Sequence, residues 1–141
     1  MGMVKAEITL TNPMDEGYAR DGYIKQEEIR TVTVQAIVDT GAMSMVINEE
    51  LRQKLGLGIK EEKFAKIANG QRVKCHVTDL VEIRWKNRIW GVHALVIPGA
   101  EEILLGAIPL EGLDLMVNPV TQELVGVHGD EVEYMVLYAD P

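Results

Sequence analysis

The chain has 141 residues, which is the size of one domain, and it shows no repeat or linker that would divide it. Hydrophobic residues make up 47% of the chain and charged residues 26%, a composition that excludes a disordered or collagen-like protein. The net charge of -8 argues against a nucleic-acid partner, because a phosphate backbone requires a basic face. We therefore expect residues 1–141 to form one domain.

The sequence also lacks features typical of membrane insertion, export and internal disulfide formation. No run approaches the roughly 20 apolar residues that a membrane helix needs, and the N-terminus lacks a signal-peptide pattern. The single cysteine, Cys75, excludes an internal disulfide and a cysteine-based zinc site, as expected in a reducing compartment. The sequence predicts a cytoplasmic protein with no membrane partner.

The first third of the chain is predicted to contain two strands separated by turns. Residues Val4 to Thr11 alternate between apolar and polar, which is the period of a half-buried strand. The segment Asn12 to Gly22 contains Asn-Pro, Glu-Gly and Asp-Gly pairs and is predicted to be turns. Residues Ile29 to Val38 form the second predicted strand, which ends in the apolar run Ala36-Ile37-Val38.

One helix and three hairpins are predicted next. Asn48 is a good N-cap, and Gly56 is a good left-handed C-cap for the residues between them. The three hairpins are centred on turn-forming residues, which are Asn69-Gly70, Lys86-Asn87-Arg88 and Asn118-Pro119.

The remaining elements are short. The apolar step Ile103 to Gly106 leads into a helical piece at Ala107 to Glu111, and Glu131 to Tyr138 alternates as a last strand. Most predicted elements are therefore strands. The pattern favours an all-β fold, a small closed β-barrel with one or two short helices.

The triplet Asp39-Thr40-Gly41 lies between two apolar runs. As a bare triplet it is typical of an Asx-type turn, because Asp and Gly are ordinary turn residues. Its setting favours a second interpretation, since burying a carboxylate between core strands is costly unless the group is hydrogen-bonded or performs chemistry. Asp39 is therefore the candidate functional residue.

The motifs around this triplet occur in a distinctive order. They are Ala36 to Ala42, the helix Asn48 to Leu57, the tip Ala68-Asn69-Gly70, and the stretch Ile103 to Pro119. Over about residues 30 to 127 this order resembles the retropepsin-like aspartic proteases, in particular their small bacterial single-domain members. The resemblance implies a retropepsin-like barrel, an aspartic endopeptidase acting on peptides or proteins, and no metal or cofactor.

The resemblance also implies a mechanism in which two aspartates share one proton and activate a water molecule. The chain has one Asp-Thr-Gly, so it supplies half of such a pair. The enzyme interpretation therefore predicts a homodimer with both Asp39 side chains at the two-fold axis. Thr40 would lock the two loops across that axis, and Gly41 would let the backbone approach the substrate.

Substrate-binding residues are likewise implied by the resemblance. Ala42 follows the catalytic triplet, and the hairpin tip Ala68-Asn69-Gly70 resembles the flap that closes over a substrate. The chain departs from the retroviral pattern after Ala42, where Met43 and Ser44 replace the Asp or Thr that is common there. Specificity and the dimer surface therefore stay open.

Two alternatives remain beside this enzyme. A non-catalytic peptide-binding or structural module could use the same fold, and an enzyme could depend on another partner chain or on processing. The histidines lack the spacing of a metal site, and they are His76, His93 and His128. The basic turn around Lys86 and Arg88 is predicted to be solvated.

Overall fold

A computed structural model describes residues 3–130, and the predicted strand Glu131 to Tyr138 lies outside the described residues. The described part contains nine strands: β1 (Lys5–Thr11), β2 (Thr31–Val38), β3 (Met45–Ile47), β4 (Ile59–Lys66), β5 (Arg72–Trp85), β6 (Arg88–Val96), β7 (Leu104–Leu105), β8 (Leu115–Val117) and β9 (Leu124–Gly126). It also contains three α-helices and one 3-10 turn: α1 (Pro13–Arg20), the turn Gln26–Glu28, α2 (Glu49–Leu55) and α3 (Ala107–Gly112).

Seven strands form one sheet in the order β1-β2-β7-β3-β6-β5-β4. Strand β1 also pairs antiparallel with β5, from Thr9 opposite Arg84 to Thr11 opposite Glu82, so the sheet curls back on itself. Strands β8 and β9 form a separate hairpin. The mostly-β prediction is confirmed, while closure into a barrel stays a prediction.

The core lies inside this curled sheet and follows the predicted alternation. In β1, Ala6, Ile8 and Leu10 are buried, while Lys5 and Glu7 are exposed. Burial of each large aliphatic side chain contributes roughly 1.5–3 kcal/mol, so the inward face of the strands supplies most of the stability.

Helix α1 lies where turns were predicted for Asn12 to Gly22, and that prediction was wrong. The Asn12 side chain caps the helix by accepting hydrogen bonds from two following backbone amides, at 2.9 and 3.3 Å. Pro13 suits the first helical turn, where its missing N–H costs nothing. An Asn-Pro pair signals a helix start as well as a turn. The described chain thus has three α-helices rather than one or two.

An ion pair between Asp15 and Arg30 also holds helix α1 in place. The Asp15 carboxylate is buried and accepts from the Arg30 guanidinium at 2.8 and 2.9 Å and from the Arg30 backbone amide at 2.9 Å. These hydrogen bonds from Arg30 lower the pKa of Asp15. Helix α1 is therefore fixed to the segment that leads into β2.

Helix α2 confirms its predicted ends. The Asn48 side chain accepts from the Leu51 amide at 2.8 Å, and Gly56 adopts the left-handed conformation with φ +65°. Leu51 and Leu55 are buried, as their shared face predicts. Among residues 3–130, no helix combines the length and apolar character needed to cross a bilayer.

The three predicted hairpins are confirmed, with two corrections. The turn signals predict two separate strands, Gln71 to Thr78 and Leu80 to Trp85, but β5 is one strand of 14 residues with an irregularity between Val77 and Leu80. The basic turn is only partly solvated: Lys86 is exposed, but Arg88 is 4% exposed. The Arg88 guanidinium donates to the Gly129 carbonyl at 2.5 Å and approaches the Asp114 carboxylate at 3.4 Å.

Candidate active site

Asp39 lies where β2 ends, in the loop that leads to β3. Its backbone amide donates to the Leu105 carbonyl at 3.0 Å, and the Gly41 amide donates to the Asp39 carboxylate at 3.0 Å. The Ala42 amide donates to the Asp39 carbonyl at 3.1 Å. The loop is therefore an Asx-type turn, as the bare triplet predicts, and it holds a half-buried carboxylate in one place.

Strand β7 and helix α3 clamp this loop from its other side. The Ala107 amide donates to the Ala42 carbonyl at 2.8 Å, and the Ile108 amide donates to the Met43 carbonyl at 2.9 Å. A side chain on Gly106 would lie 2.6 Å from the Ala42 carbonyl oxygen and closer still to that of Ser44. The Leu-Leu-Gly sequence thus has a physical reason, because only glycine lets the two backbones approach this closely.

A cleft of about 760 Å³ opens beside the loop, within the range of ligand-binding pockets. Most of its lining is apolar and comes from four parts of the chain: Ala42, Met43, Val46, Ala65, Ile67, Ala68, Leu95, Ile97 and Leu104. The polar lining residues are Asp39, Ser44 and Lys66. A carboxylate at the edge of an apolar cleft is placed to act as an acid or base toward a peptide bound in that cleft.

The predicted site residues are only partly brought together. Asp39, Gly41, Ala42 and Ala68 line the cleft, as predicted. Thr40 is exposed and does not contribute to the lining of this single chain. Their proposed roles in catalysis and substrate binding stay predictions.

Asn69 and Gly70 lie at the hairpin tip rather than along the cleft. The Gly70 amide donates to the Ile67 carbonyl at 2.9 Å, and the Asn69 side chain accepts from the Gln71 amide at 2.9 Å. Gly70 has φ +85°, which glycine adopts without strain. These two residues therefore shape the turn that carries Ala68.

Sequence reasoning missed the cleft residues that come from β3, β6 and β7. Leu95 lines the cleft because β6 pairs in parallel with β3, which places Leu95 opposite Val46. Ile97 lines it directly after β6 ends. The alternation of side chains in this segment predicts a strand, but it does not predict which face of the strand lines the cleft.

The rings of His93 and His128 are hydrogen-bonded within the fold. The ring of His93 bonds the Thr78 carbonyl at 2.9 Å, and that of His128 bonds the Asp114 carboxylate at 2.5 Å. The hydrogen bond from His128 lowers the pKa of Asp114, and burial raises the pKa of the Cys75 thiol. Within residues 3–130, no three His, Cys, Asp or Glu side chains are grouped to hold a metal.

A sequence model of a known family matches this chain over the site. The family is described as aspartyl protease, and the match covers residues 24–108, more than half of the chain. The chain therefore belongs to the aspartyl protease family. A search of curated proteins gave no match.

Three solved structures are similar to this chain. EIAV protease, complexed with the inhibitor HBY-793, is 25% identical and matches 57% of this chain and 77% of its own, with a TM-score of 0.50. The retroviral protease-like domain of Ddi1 from Leishmania major is 15% identical over 89% of this chain and 88% of its own, with a TM-score of 0.56. A retropepsin-like aspartic protease from Rickettsia conorii is 20% identical over 84% and 89%, with a TM-score of 0.44.

The resemblance noted in the sequence is thereby confirmed, and the chain is an aspartic endopeptidase of the retropepsin-like type. In this fold the Asp39 carboxylate lies in a hydrogen-bonded loop at the edge of an apolar cleft.

Proposed function

We propose that this protein is a homodimeric aspartic endopeptidase in which Asp39 of each chain activates the attacking water. One observation carries the proposal: the chain holds a single Asp-Thr-Gly, and its carboxylate lies in a clamped loop at the edge of an apolar cleft. The proposal also treats residues 1–141 as one domain with a closed barrel, located in the cytoplasm.

The chemistry follows from two carboxyl groups held roughly 3 Å apart, which cannot both ionise. The ionised member takes a proton from a water molecule, and that water attacks the peptide carbonyl. The protonated member donates a hydrogen bond to the developing oxyanion. The two titrations belong to the pair rather than to either residue.

The neighbouring residues have supporting roles in this proposal. Gly41 keeps the backbone open and donates to the Asp39 carboxylate, at 3.0 Å, which orients it. Thr40 locks the two loops across the axis. Ala42 and Ala68 contact the substrate, and the tip at Asn69-Gly70 closes the hairpin over it.

Asp39→Asn is the direct test. Removing a general base reduces the rate by about 100- to 10,000-fold, so we expect cleavage of a peptide library to fall at least that far. Circular dichroism and sedimentation should show an unchanged fold and assembly. Asp21→Asn, an exposed carboxylate at the end of α1, is the matched control and should keep full activity. Cleavage by Asp39→Asn at the wild-type rate would contradict the proposal.

Mixing the wild-type and Asp39→Asn chains tests whether the site is shared. If each site needs two intact chains, an equal mixture with free exchange keeps about one quarter of the activity. Independent sites would keep about one half. Activity per chain should also fall on dilution below the dimer dissociation constant. A constant activity per chain in a monomeric sample would exclude the shared site.

The peptide-binding module is the second candidate, because the apolar lining of the cleft would also suit a peptide that is held without being cleaved. This module would cleave no peptide. It would bind peptides with the same affinity whether residue 39 is Asp or Asn. A partner-dependent enzyme would cleave only after that partner is added.

A further inference from the structure

Half of strand β1 has an unused edge within residues 3–130. Strand β1 pairs with β2 along its whole length, but its pairing with β5 begins only at Thr9. The segment Lys5–Ile8 therefore has no strand partner on the β5 side among the described residues. Free backbone groups at a strand edge are a template for another strand.

The register shows which backbone groups face this edge. The even-numbered residues of β1 bond to β2, since the Val4 carbonyl accepts from the Val38 amide at 2.8 Å and the Asn12 amide donates to the Arg30 carbonyl at 3.0 Å. The odd-numbered residues therefore direct their amides and carbonyls the other way. Thr9 and Thr11 use theirs to meet β5, while those of Lys5 and Glu7 remain.

A slot of about 600 Å³ runs along this edge. Its lining residues include Lys5 and Glu7 of β1, Trp85 and Lys86 where β5 turns into β6, and Leu124 of β9. The charged side chains around it are three cations and two carboxylates: Lys5, Arg84, Lys86, Glu7 and Glu123. The slot is thus weakly basic in a protein whose net charge is -8.

The chain itself leads to this slot. The Asp130 carbonyl accepts from the Asn87 side chain at 3.0 Å and from the Arg88 guanidinium at 3.3 Å. Both donors belong to the β5–β6 turn, whose Trp85 and Lys86 line the slot. Asp130, the last described residue, therefore lies against the turn that borders the slot.

The segment that follows has suitable chemistry. Residues 131–138 lie outside the described residues, and their sequence is Glu-Val-Glu-Tyr-Met-Val-Leu-Tyr, with two acidic residues and otherwise only apolar or aromatic ones. The four residues of the free edge span about 13 Å, and eight extended residues span about 26 Å, so the segment is long enough.

We propose that residues 131–138 bind in this slot by strand addition to Lys5–Ile8 of the same chain. Backbone hydrogen bonds to Lys5 and Glu7 would give most of the affinity, and Lys86 would favour the acidic start of the segment. This inference does not depend on Asp39 being catalytic.

Hydrogen exchange on the full-length chain tests the proposal. We expect the Lys5 and Glu7 amides to exchange at least about tenfold more slowly than in full-length Tyr134→Pro, because proline removes a strand donor. Thr9 and Thr11 are internal controls, since their amides face β5 in both proteins. Their continued protection would show that Tyr134→Pro remains folded.

Three outcomes would overturn the proposal. The Lys5 and Glu7 amides could exchange freely in the wild-type chain, or their protection could be unchanged in Tyr134→Pro. Protection that disappears on dilution, as the protein becomes monomeric, would mean that a second chain supplies the strand. Lys86→Glu should reduce the protection roughly two- to fivefold, whereas Lys54→Glu on the exposed face of α2 should not.

Discussion

The Asp39 loop and the β4–β5 hairpin both border the cleft, but they are held in different ways. The loop at Asp39 is fixed by backbone hydrogen bonds to β7 and α3, which are themselves packed on the core. The hairpin is held by cross-strand pairing with β5, and almost every residue of β4 is exposed. We therefore expect the wall formed by the Asp39 loop to be more rigid than the wall formed by the hairpin.

The largest expected effect comes from the rigid wall. Gly106→Ala would push a methyl group against the Ala42 and Ser44 carbonyls, which cannot rotate away. We expect a loss of about 3 kcal/mol, the upper part of the range for overpacking. Misplacing the Asp39 loop should also reduce kcat/KM by roughly 100-fold. Chemical denaturation and peptide cleavage measure the two effects.

Gly91→Ala is the matched control for that substitution. Gly91 has open space around it and no left-handed backbone, so an alanine there should be tolerated. Equal stability of the Gly106→Ala and Gly91→Ala proteins would show that the clamp at the loop is not rigid.

An intermediate effect is expected at the hairpin tip. Gly70→Ala has no neighbour to strike, but its φ of +85° costs an alanine roughly 1–2 kcal/mol. Gly22→Ala has nearly the same geometry, φ +84° and open space, at the end of α1 and away from the cleft. Both should lose similar stability by thermal melting. Only Gly70→Ala should also lose kcat/KM, and an equal loss in both would contradict a role for the tip.

The smallest expected effect concerns pH and the hairpin. The Lys74 ammonium, 2.9 Å from the Glu62 carboxylate, lowers the pKa of Glu62 from its usual 4.5. The stabilisation is therefore present above pH 4.5 and is lost as the pH falls through the lowered value. Hydrogen-exchange protection of the hairpin should decline in that window, while the Asp39 and Ala107 amides stay protected. In Glu62→Gln the decline should disappear, and its persistence would assign the effect to another group.

Much of the site could be predicted because its signals are local. Asp39-Thr40-Gly41 forms a turn through bonds between residues two or three apart, and Asn48 and Gly56 end a helix in the same way. Helix α1 was missed although its signals are local too, because Asn12-Pro13 is compatible with both a turn and a helix start.

Tertiary structure decided which distant residues share the cleft. Leu95 reaches it through the parallel pairing of β6 with β3, and Ile97 follows directly after that strand. Arg88 is buried because the segment near Gly129 folds over it. The amino-acid sequence by itself determined most of the strands and the two ends of α2. It also determined the turn at Asp39 and the glycine, Gly106, that packs against this turn. Strand register and burial depend on contacts between residues far apart in the chain, and a shift of one residue would turn every side chain to the opposite face.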